Sequence, residues 1–199
     1  MAQLFAPAVG RIRELLKAAS RETTAPIDFA FIGGLAVAAW GVPRATQDID
    51  LLANADPSPI GNIELRNRLK KFFEQQQCQV DWRVGDYEDP IPLLLRIDLP
   101  PSYDRLSADI VWAHKRWQRE ALQRKILVRV SRQRLPVLHP EDLILLKLDA
   151  GGPQDLLDVQ KLLGTPPRQL NVHRLEETAA RLRLGRLLEK CLRESRNKN

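Results

Sequence analysis

The sequence predicts an α/β (α+β) chain in which helices and strands alternate, followed by a helical region at the C-terminal end. A short apolar strand, a glycine pair, a helix and a second strand fit into roughly 25 residues. Four more apolar runs then have the length and pattern of strands. After Pro136 the pattern changes to helices separated by glycine and proline.

Chain size and composition are those of a folded globular protein. The 199 residues are 44% hydrophobic and 28% charged, enough to bury a substantial core without a disulfide or a metal. The two cysteines, Cys78 and Cys191, lie far apart and have no zinc-ligand spacing, so we expect a reducing, cytoplasmic location. No export signal is evident, and the most apolar stretch, residues 29–43, is shorter than the roughly 20 residues that span a bilayer. We therefore expect no membrane partner.

The elements follow one another with recognisable starts and stops. Apolar residues recur at helical spacing over residues 4–16, which predicts a first helix. Near the other end, Pro140 fits the first position of a helix that Gly151 and Gly152 end. We expect a core of residues 1–138 with a helical region, residues 139–199, packed on it. Strands are predicted at residues 27–32, 48–53, 78–84, 93–99, 106–112 and 126–130, and further helices at residues 35–40, 63–77, 113–124, 140–150, 154–163 and 172–194.

The net charge of +6 is unevenly distributed. Residues 115–134 contain eight Lys and Arg against one acid, Glu120, and residues 168–199 contain nine against four. The rest of the chain is therefore net negative. Basic segments around an acidic centre suit a polyanion held near a metal site, whereas solvated helix faces would have the same composition.

Two aspartates on one predicted strand are the first candidates for chemistry. Asp48 and Asp50 are two residues apart, so both carboxylates project to one face of a strand while Ile49 and Leu51 enter the core. Like charges held together repel unless a cation lies between them. Carboxylate oxygens, water and phosphate form the ligand set that Mg²⁺ prefers, so the pair predicts a metal.

A glycine pair lies just upstream of these aspartates. Gly33 and Gly34 allow backbone to approach a ligand closely, and a following helix presents free N–H groups to an anion such as phosphate. A plain strand-to-helix turn would also use glycine here. The sequence lacks the Walker motif and the third glycine of a dinucleotide fingerprint, which argues against a P-loop NTPase and a Rossmann dehydrogenase.

The combined motif resembles a known superfamily. The order Gly33-Gly34, short helix, then Arg44-x-Thr46-x-Asp48-Ile49-Asp50 is similar to the signature of DNA polymerase beta-type nucleotidyltransferases. A second segment, residues 138–159, with Lys147, Asp155 and Asp158, resembles the bacterial AbiEii-like branch and its small uncharacterised relatives. The resemblance covers roughly residues 29–163 and implies a mixed sheet flanked by helices.

The resemblance also implies a third carboxylate on a neighbouring strand. Asp109 occupies the matching place, and strands about 4.8 Å apart bring such a residue within reach of the same metal. Asp98 is the competing candidate, and we favour Asp109. The implied metal ligands and catalytic residues are Asp48, Asp50 and Asp109, with Mg²⁺ or Mn²⁺ as the cofactor.

The implied activity is the transfer of a nucleoside monophosphate from a nucleoside triphosphate to a hydroxyl of RNA, such as tRNA, or of a protein. By resemblance, Lys147 contacts phosphate or supports the site, although it also fits the polar edge of a helix. The expected phosphate-binding set is Gly33, Gly34, Arg44, Thr46 and Lys147, with Asp155 and Asp158 as accessory residues.

The sequence is compatible with two biological roles. The AbiEii-like resemblance implies a toxin or antitoxin partner. Toxin relatives often carry basic residues just before the position that matches Asp155, whereas this chain has Gly152 and Gln154 there. The alternative is a catalytically silent module of the same fold that binds nucleotide, RNA or a protein partner, like an antitoxin.

Overall fold

The computed structural model describes residues 2–44, 46, 48–86, 89, 91–130 and 133–196. Within them, eight α-helices flank one seven-stranded mixed sheet. Some sequence predictions fall outside the described residues: positions 45 and 47 of the aspartate motif, Arg132 of the basic segment, and residues 197–199.

The strands are β1 (Ile27–Phe31), β2 (Ile49–Ala55), β3 (Gln79–Val84), β4 (Leu93–Asp98), β5 (Ser107–Trp112), β6 (Ile126–Val130) and β7 (Gln133–Val137). The helices are α1 (Ala2–Glu22), α2 (Gly33–Ala39), α3 (Ile63–Gln75), α4 (Arg116–Gln123), α5 (Pro140–Ala150), α6 (Pro153–Gly164), α7 (Val172–Arg181) and α8 (Gly185–Arg196).

The sheet has the strand order β3-β4-β5-β2-β1-β7-β6. The β2 strand lies at its centre, antiparallel to β1 and parallel to β5. On the other side of β5, β4 and β3 continue the sheet in antiparallel pairing. This order makes neighbours of β2 and β5, which are far apart in the sequence, and it places their polar residues on adjacent strands.

Core packing follows the predicted alternation. Ile49 and Leu51 of β2 are fully buried, and so is Ile110 of β5. Asp50 lies between the two apolar residues of β2, and side chains alternate between the faces of a strand, so its carboxylate projects to the opposite face. The predicted strand at residues 48–53 starts one residue later, at Ile49, so Asp48 immediately precedes β2.

The C-terminal helices begin and end largely as predicted. Pro140 is in the first turn of α5, and Gly151 ends that helix with a φ of +67°, a conformation that glycine adopts at little cost. The prediction of one helix over residues 172–194 is wrong, because α7 and α8 are separate. Arg183 turns the chain with a φ of +61°, and Leu184 N–H donates to the Ala179 carbonyl across the turn.

One strand was missed in the sequence. The sequence pattern predicts no strand after residue 130 and a change to helices after Pro136, a residue that cannot donate a backbone hydrogen bond. In the structure it lies within β7, opposite Leu127 of β6, and β7 pairs with β1 at Phe31 and Val137. Two smaller boundaries also differ, since α2 includes Gly33 and Gly34 in its first turn and α4 begins only at Arg116.

No helix in the described part of the chain is both long enough and apolar enough to cross a membrane.

Candidate active site

Asp50 and Asp109 are direct neighbours across two parallel strands. The register of β2 and β5 pairs Asp50 with Asp109, and Arg96 of β4 is in turn paired with Asp109. Asp48, just before β2, is close enough for its charge to act on both Asp50 and Asp109. The fold therefore brings together the three carboxylates that the sequence nominated.

Burial and mutual repulsion set the electrostatics of this carboxylate cluster, defined as Asp48, Asp50 and Asp109. Burial, followed by the charges of Asp109 and Asp48, raises the pKa of Asp50 above its ordinary value. Burial also raises the pKa of Asp109, although the Arg96 guanidinium partly offsets this rise. The raised pKa values mean that Asp50 and Asp109 favour binding a proton or another cation.

Arg96 was not anticipated from the sequence. Its guanidinium nitrogens lie 3.7 Å from Asp48, 3.6 Å from Asp109 and 3.6 Å from Asp98. Asp98 also accepts a hydrogen bond from Ser107 at 2.5 Å, and Ser107 is its partner in the register of β4 and β5. Only the pairing of β4 with β5 places Arg96 opposite Asp109, and no local pattern in the sequence reveals that pairing.

Gly33 makes room for the Asp50 carboxylate. Its φ is +59°, and a Cβ added there would lie 1.8 Å from Asp50 Oδ2. Gly34 is also confined, since a Cβ there would lie 2.8 Å from Thr46 Cβ and 3.4 Å from Arg44 Cζ. The glycine pair thus lies between the aspartate strand and the loop that carries Arg44 and Thr46. Thr46 itself donates a hydrogen bond from its hydroxyl to the Asp48 carbonyl.

Two cations from distant parts of the chain meet on a buried aspartate. Asp158 of α6 is fully buried and accepts from Arg44 at 2.5 Å, and it lies 2.7 Å from Lys147 Nζ of α5. Lys147 also contacts Asp155 at 2.9 Å, and Gln154 donates to the second Asp158 oxygen. This network ties the C-terminal helices to the loop before β2.

A cavity of about 280 Å³ joins the carboxylate cluster to this network. Its lining contains both charged and apolar side chains. The charged residues are Asp50, Asp109, Arg44, Lys147, Asp149 and Asp155, the apolar ones are Ile32, Ile91, Leu94, Val111, Leu143 and Leu146, and Gln118 is the neutral polar one. Gly33 and Ala150 complete the wall.

The carboxylate cluster fits a divalent cation in its chemistry. Asp109 Oδ1 is buried and has no hydrogen-bond partner within the described chain, as expected for an oxygen that serves a cation. The possible metal ligands of the carboxylate cluster are hard carboxylate oxygens, which suit Mg²⁺ or Mn²⁺. Among the described residues, no three Asp, Glu, His or Cys side chains already lie at metal-ligand spacing. The three carboxylates would therefore have to move closer together to share one cation.

Many cations of the basic segment, residues 115–134, are engaged within the protein. Lys115 pairs with both oxygens of Asp149, and Arg124 pairs with Asp142 at 2.6 Å. Lys125 pairs with Asp28, and Arg116 pairs with Glu120. The Lys115 partner, Asp149, lines the same cavity as Asp50. The N-terminal end of the segment thus borders the site, while several of its charges are already neutralised.

Comparison with known proteins supports the fold. Neither protein-family models nor curated protein sequences gave a match. The crystal structure of ANT(2'')-Ia in complex with adenylyl-2''-tobramycin matches with a TM-score of 0.53 and 16% identity, covering 92% of this chain and 98% of that one. The solution structure of the same antibiotic-resistance factor matches with a TM-score of 0.52 and 16% identity, over 90% and 95% of the two chains. An antigenic nucleotidyltransferase-like protein from Paracoccidioides brasiliensis gives a TM-score of 0.43 at 18% identity, covering 91% of this chain and 93% of that one. At these identities the first two matches show that the chain has the fold of a nucleotidyltransferase.

Proposed function

We propose that the chain is a metal-dependent nucleotidyltransferase that moves a nucleoside monophosphate from a nucleoside triphosphate to a hydroxyl group. The observation that carries the proposal is the register pairing of Asp50 with Asp109, with Asp48 close by and Gly33 opening the space beside Asp50. Carboxylates that repel one another destabilise the fold unless a cation compensates their charge. A divalent cation that also binds the phosphates of a nucleotide would do so.

Each residue of the site has a role in this proposal. Asp48, Asp50 and Asp109 would hold Mg²⁺ or Mn²⁺, which when bound lowers the pKa of a coordinated hydroxyl and neutralises phosphate charge. Lys147 and Arg44, held by Asp158, face the same cavity as cations for the triphosphate. The backbone at Gly33 and Gly34 allows the phosphates to approach closely.

The proposed reaction exchanges one bond at the α-phosphorus for another and moves one proton. The acceptor oxygen forms a bond to the α-phosphorus, the bond from that phosphorus to the bridging oxygen breaks, and pyrophosphate leaves. Asp109 accepts the hydroxyl proton, because it lines the cavity beside Asp50 and its Oδ1 has no hydrogen-bond partner in the described chain.

Three classes of acceptor hydroxyl fit the proposed reaction. RNA, including tRNA, and a protein hydroxyl follow from the resemblance to the AbiEii-like branch, and with them a toxin or antitoxin partner. A small-molecule hydroxyl is a further option, since ANT(2'')-Ia was crystallised with adenylyl-2''-tobramycin. Residues 1–138 would form the catalytic core, and the C-terminal helices would supply Lys147, Asp155 and Asp158 to it.

The test is to incubate purified protein with each of the four α-³²P nucleoside triphosphates and Mg²⁺. Total RNA, a protein extract and a panel of polyhydroxylated small molecules serve as acceptors. We expect label to enter one acceptor class and to be lost in the Asp50→Asn variant. Equal labelling by wild type and variant would place the activity elsewhere.

A second candidate function is favoured by Arg96. Its guanidinium lies among Asp48, Asp98 and Asp109, where its charge substitutes for a bound cation. A chain that keeps this arrangement would be a silent module that binds nucleotide, RNA or a protein partner. In that case no triphosphate is consumed, and Mn²⁺ gives no shift of the melting temperature in wild type or in Arg96→Gln.

A further inference from the structure

The cavity beside the carboxylate cluster has a second part that the phosphate chemistry does not use. Asp109 and Val111 are two residues apart on β5 and so face the same side of the sheet, and Leu94 of β4 is paired with Val111. The α5 residues that line the same cavity are Leu143, Leu146, Lys147, Asp149 and Ala150. We call the part of the cavity lined by Leu94, Val111, Leu143 and Leu146 the slot, because these four side chains are apolar.

Gln118 of α4 is a buried, uncharged polar side chain that lines the same cavity. Only 1% of the residue is exposed, yet it lines the cavity. Its Oε1 accepts hydrogen bonds from the backbone N–H groups of His114 at 3.0 Å and Lys115 at 3.1 Å. Backbone N–H groups can only donate, so these two bonds fix which end of the amide is oxygen.

The Nε2 group is left with its donors unused. It makes no hydrogen bond within the described chain, and Gln118 is one of the residues that line the cavity. A buried donor without a partner costs free energy unless a ligand or water supplies an acceptor. The slot thus offers apolar walls and a fixed hydrogen-bond donor.

We propose that this slot binds the base of the nucleoside triphosphate and that Gln118 selects a keto base, uracil or guanine. The proposal rests on the proposed nucleotidyltransferase function, because the triphosphate at Lys147 and Arg44 directs the base towards the slot. The base edge that lies farthest from the ribose carries O4 in uracil and O6 in guanine, both of which accept hydrogen bonds. Cytosine and adenine carry an amino group there, so their donors would oppose the donors of Gln118.

Asp149 is the alternative residue that could select the base, because it is a hydrogen-bond acceptor that lines the same cavity. Both of its oxygens are engaged by Lys115, at 2.7 Å and 2.6 Å, whereas the Gln118 donors are unused. If Asp149 selected the base, the protein would prefer cytosine and adenine, whose amino groups donate hydrogen bonds. This preference is the opposite of the one expected for Gln118.

UTP and CTP form a matched pair for the test, since their bases differ at the O4 and N4 position. We would titrate the protein in MgCl₂ with the α,β-methylene analogues of UTP, CTP, GTP and ATP in a calorimeter. These analogues cannot lose pyrophosphate, so binding is measured alone. We expect the UTP analogue to bind about tenfold more tightly than the CTP analogue, and the GTP analogue more tightly than the ATP analogue.

The variant Gln118→Glu makes the test specific to this side chain. One carboxylate oxygen can still accept from His114 and Lys115, while the other presents an acceptor to the slot, so the preference should reverse towards CTP. Gln123→Glu is the control, because Gln123 is exposed on the same helix and does not line this cavity. It should keep the wild-type preference.

The outcomes separate this inference from the proposed function. Similar binding of all four analogues, a wild-type preference for CTP and ATP, or an unchanged preference in folded Gln118→Glu overturns the base assignment and leaves the nucleotidyltransferase proposal standing. Binding of none of the four overturns both.

Discussion

Gly33 and Asp50 are in such close contact that a single added methyl group at Gly33 would overlap the Asp50 carboxylate, with 1.8 Å between Cβ and Oδ2. The contact joins the start of α2 to the start of β2. A side chain at position 33 would therefore displace the carboxylate on which the proposed metal site depends.

Gly33→Ala should disrupt the site by two separable effects. A φ of +59° strains any residue with a Cβ, and the contact with Asp50 adds a steric overlap. We expect a loss of about 2–4 kcal/mol in the free energy of unfolding and a large loss of triphosphate binding. Gly61→Ala is the control, since Gly61 has a φ of +76° but no atom within 4 Å of the added Cβ. If denaturant melts and binding titrations give the same result for both variants, the contact with Asp50 is unimportant.

Asp50→Asn should stabilise the metal-free protein at neutral pH. Burial and the charges of Asp109 and Asp48 raise the pKa of Asp50 above 3.8, so the folded state binds the proton more tightly than the unfolded chain. Stability in the wild type should therefore fall as the pH rises from about 4 through the folded-state pKa. The asparagine variant avoids this loss, so we expect it to be more stable than the wild type at pH 7.5.

The measurement is a set of melts in EDTA at pH 4.5 and pH 7.5. The advantage of Asp50→Asn should be larger at the higher pH, and added Mg²⁺ should raise the wild-type melting temperature more than that of the variant. An advantage that grows at low pH would mean that the folded protein stabilises the charged form of Asp50.

Asp158→Ala should cost far more stability than Asp155→Ala, although both carboxylates contact Lys147. The Asp158 side chain is fully buried between Arg44 and Lys147, whereas that of Asp155 is 32% exposed. Removing Asp158 leaves Lys147 buried with a weaker partner, which we expect to cost about 3 kcal/mol, against less than about 1 kcal/mol for Asp155. Urea unfolding of the two variants decides this, and equal losses would show that the buried network does not hold Lys147.

Substitution of Asp109 and of Asp98 tests which of the two is the third carboxylate of the site. Asp109 is paired with Asp50 and has a buried oxygen without a partner in the described chain, while Asp98 is engaged by Ser107 and Arg96. Asp109→Asn should lower the rate of nucleotidyl transfer by at least about 100-fold, and Asp98→Asn by less than about tenfold. Initial rates at saturating triphosphate measure both. The reverse order would move the third carboxylate to β4.

Local sequence patterns predicted the fold class and the central motif. The α/β prediction is confirmed, since the glycine turn and the strand periodicity depend on neighbours along the chain. Strand alternation predicted that Asp48 and Asp50 would share a face, because a period of two is a property of the backbone itself. Their metal-binding role stays a prediction.

Other features depend on pairing between distant segments. Nothing near Arg96 in the sequence shows that it lies opposite Asp109, because strand register comes from the whole sheet. Gln118 looks like part of a solvated basic helix, and only the packing of α4 buries it. The break at Arg183 also escaped prediction, since the left-handed turn lacks the glycine that usually marks it.

The central claim is that the carboxylate cluster transfers a nucleoside monophosphate, and the position of the label in the triphosphate tests it most directly. The protein would be incubated with Mg²⁺, the acceptor mixture and either α-³²P or γ-³²P triphosphate, with EDTA as the metal-free control. We predict that the α-label enters an acceptor, that the γ-label appears in pyrophosphate, and that EDTA and Asp109→Asn abolish both. Transfer of the γ-label to an acceptor, or no consumption of any triphosphate by the folded wild-type protein, would contradict the claim.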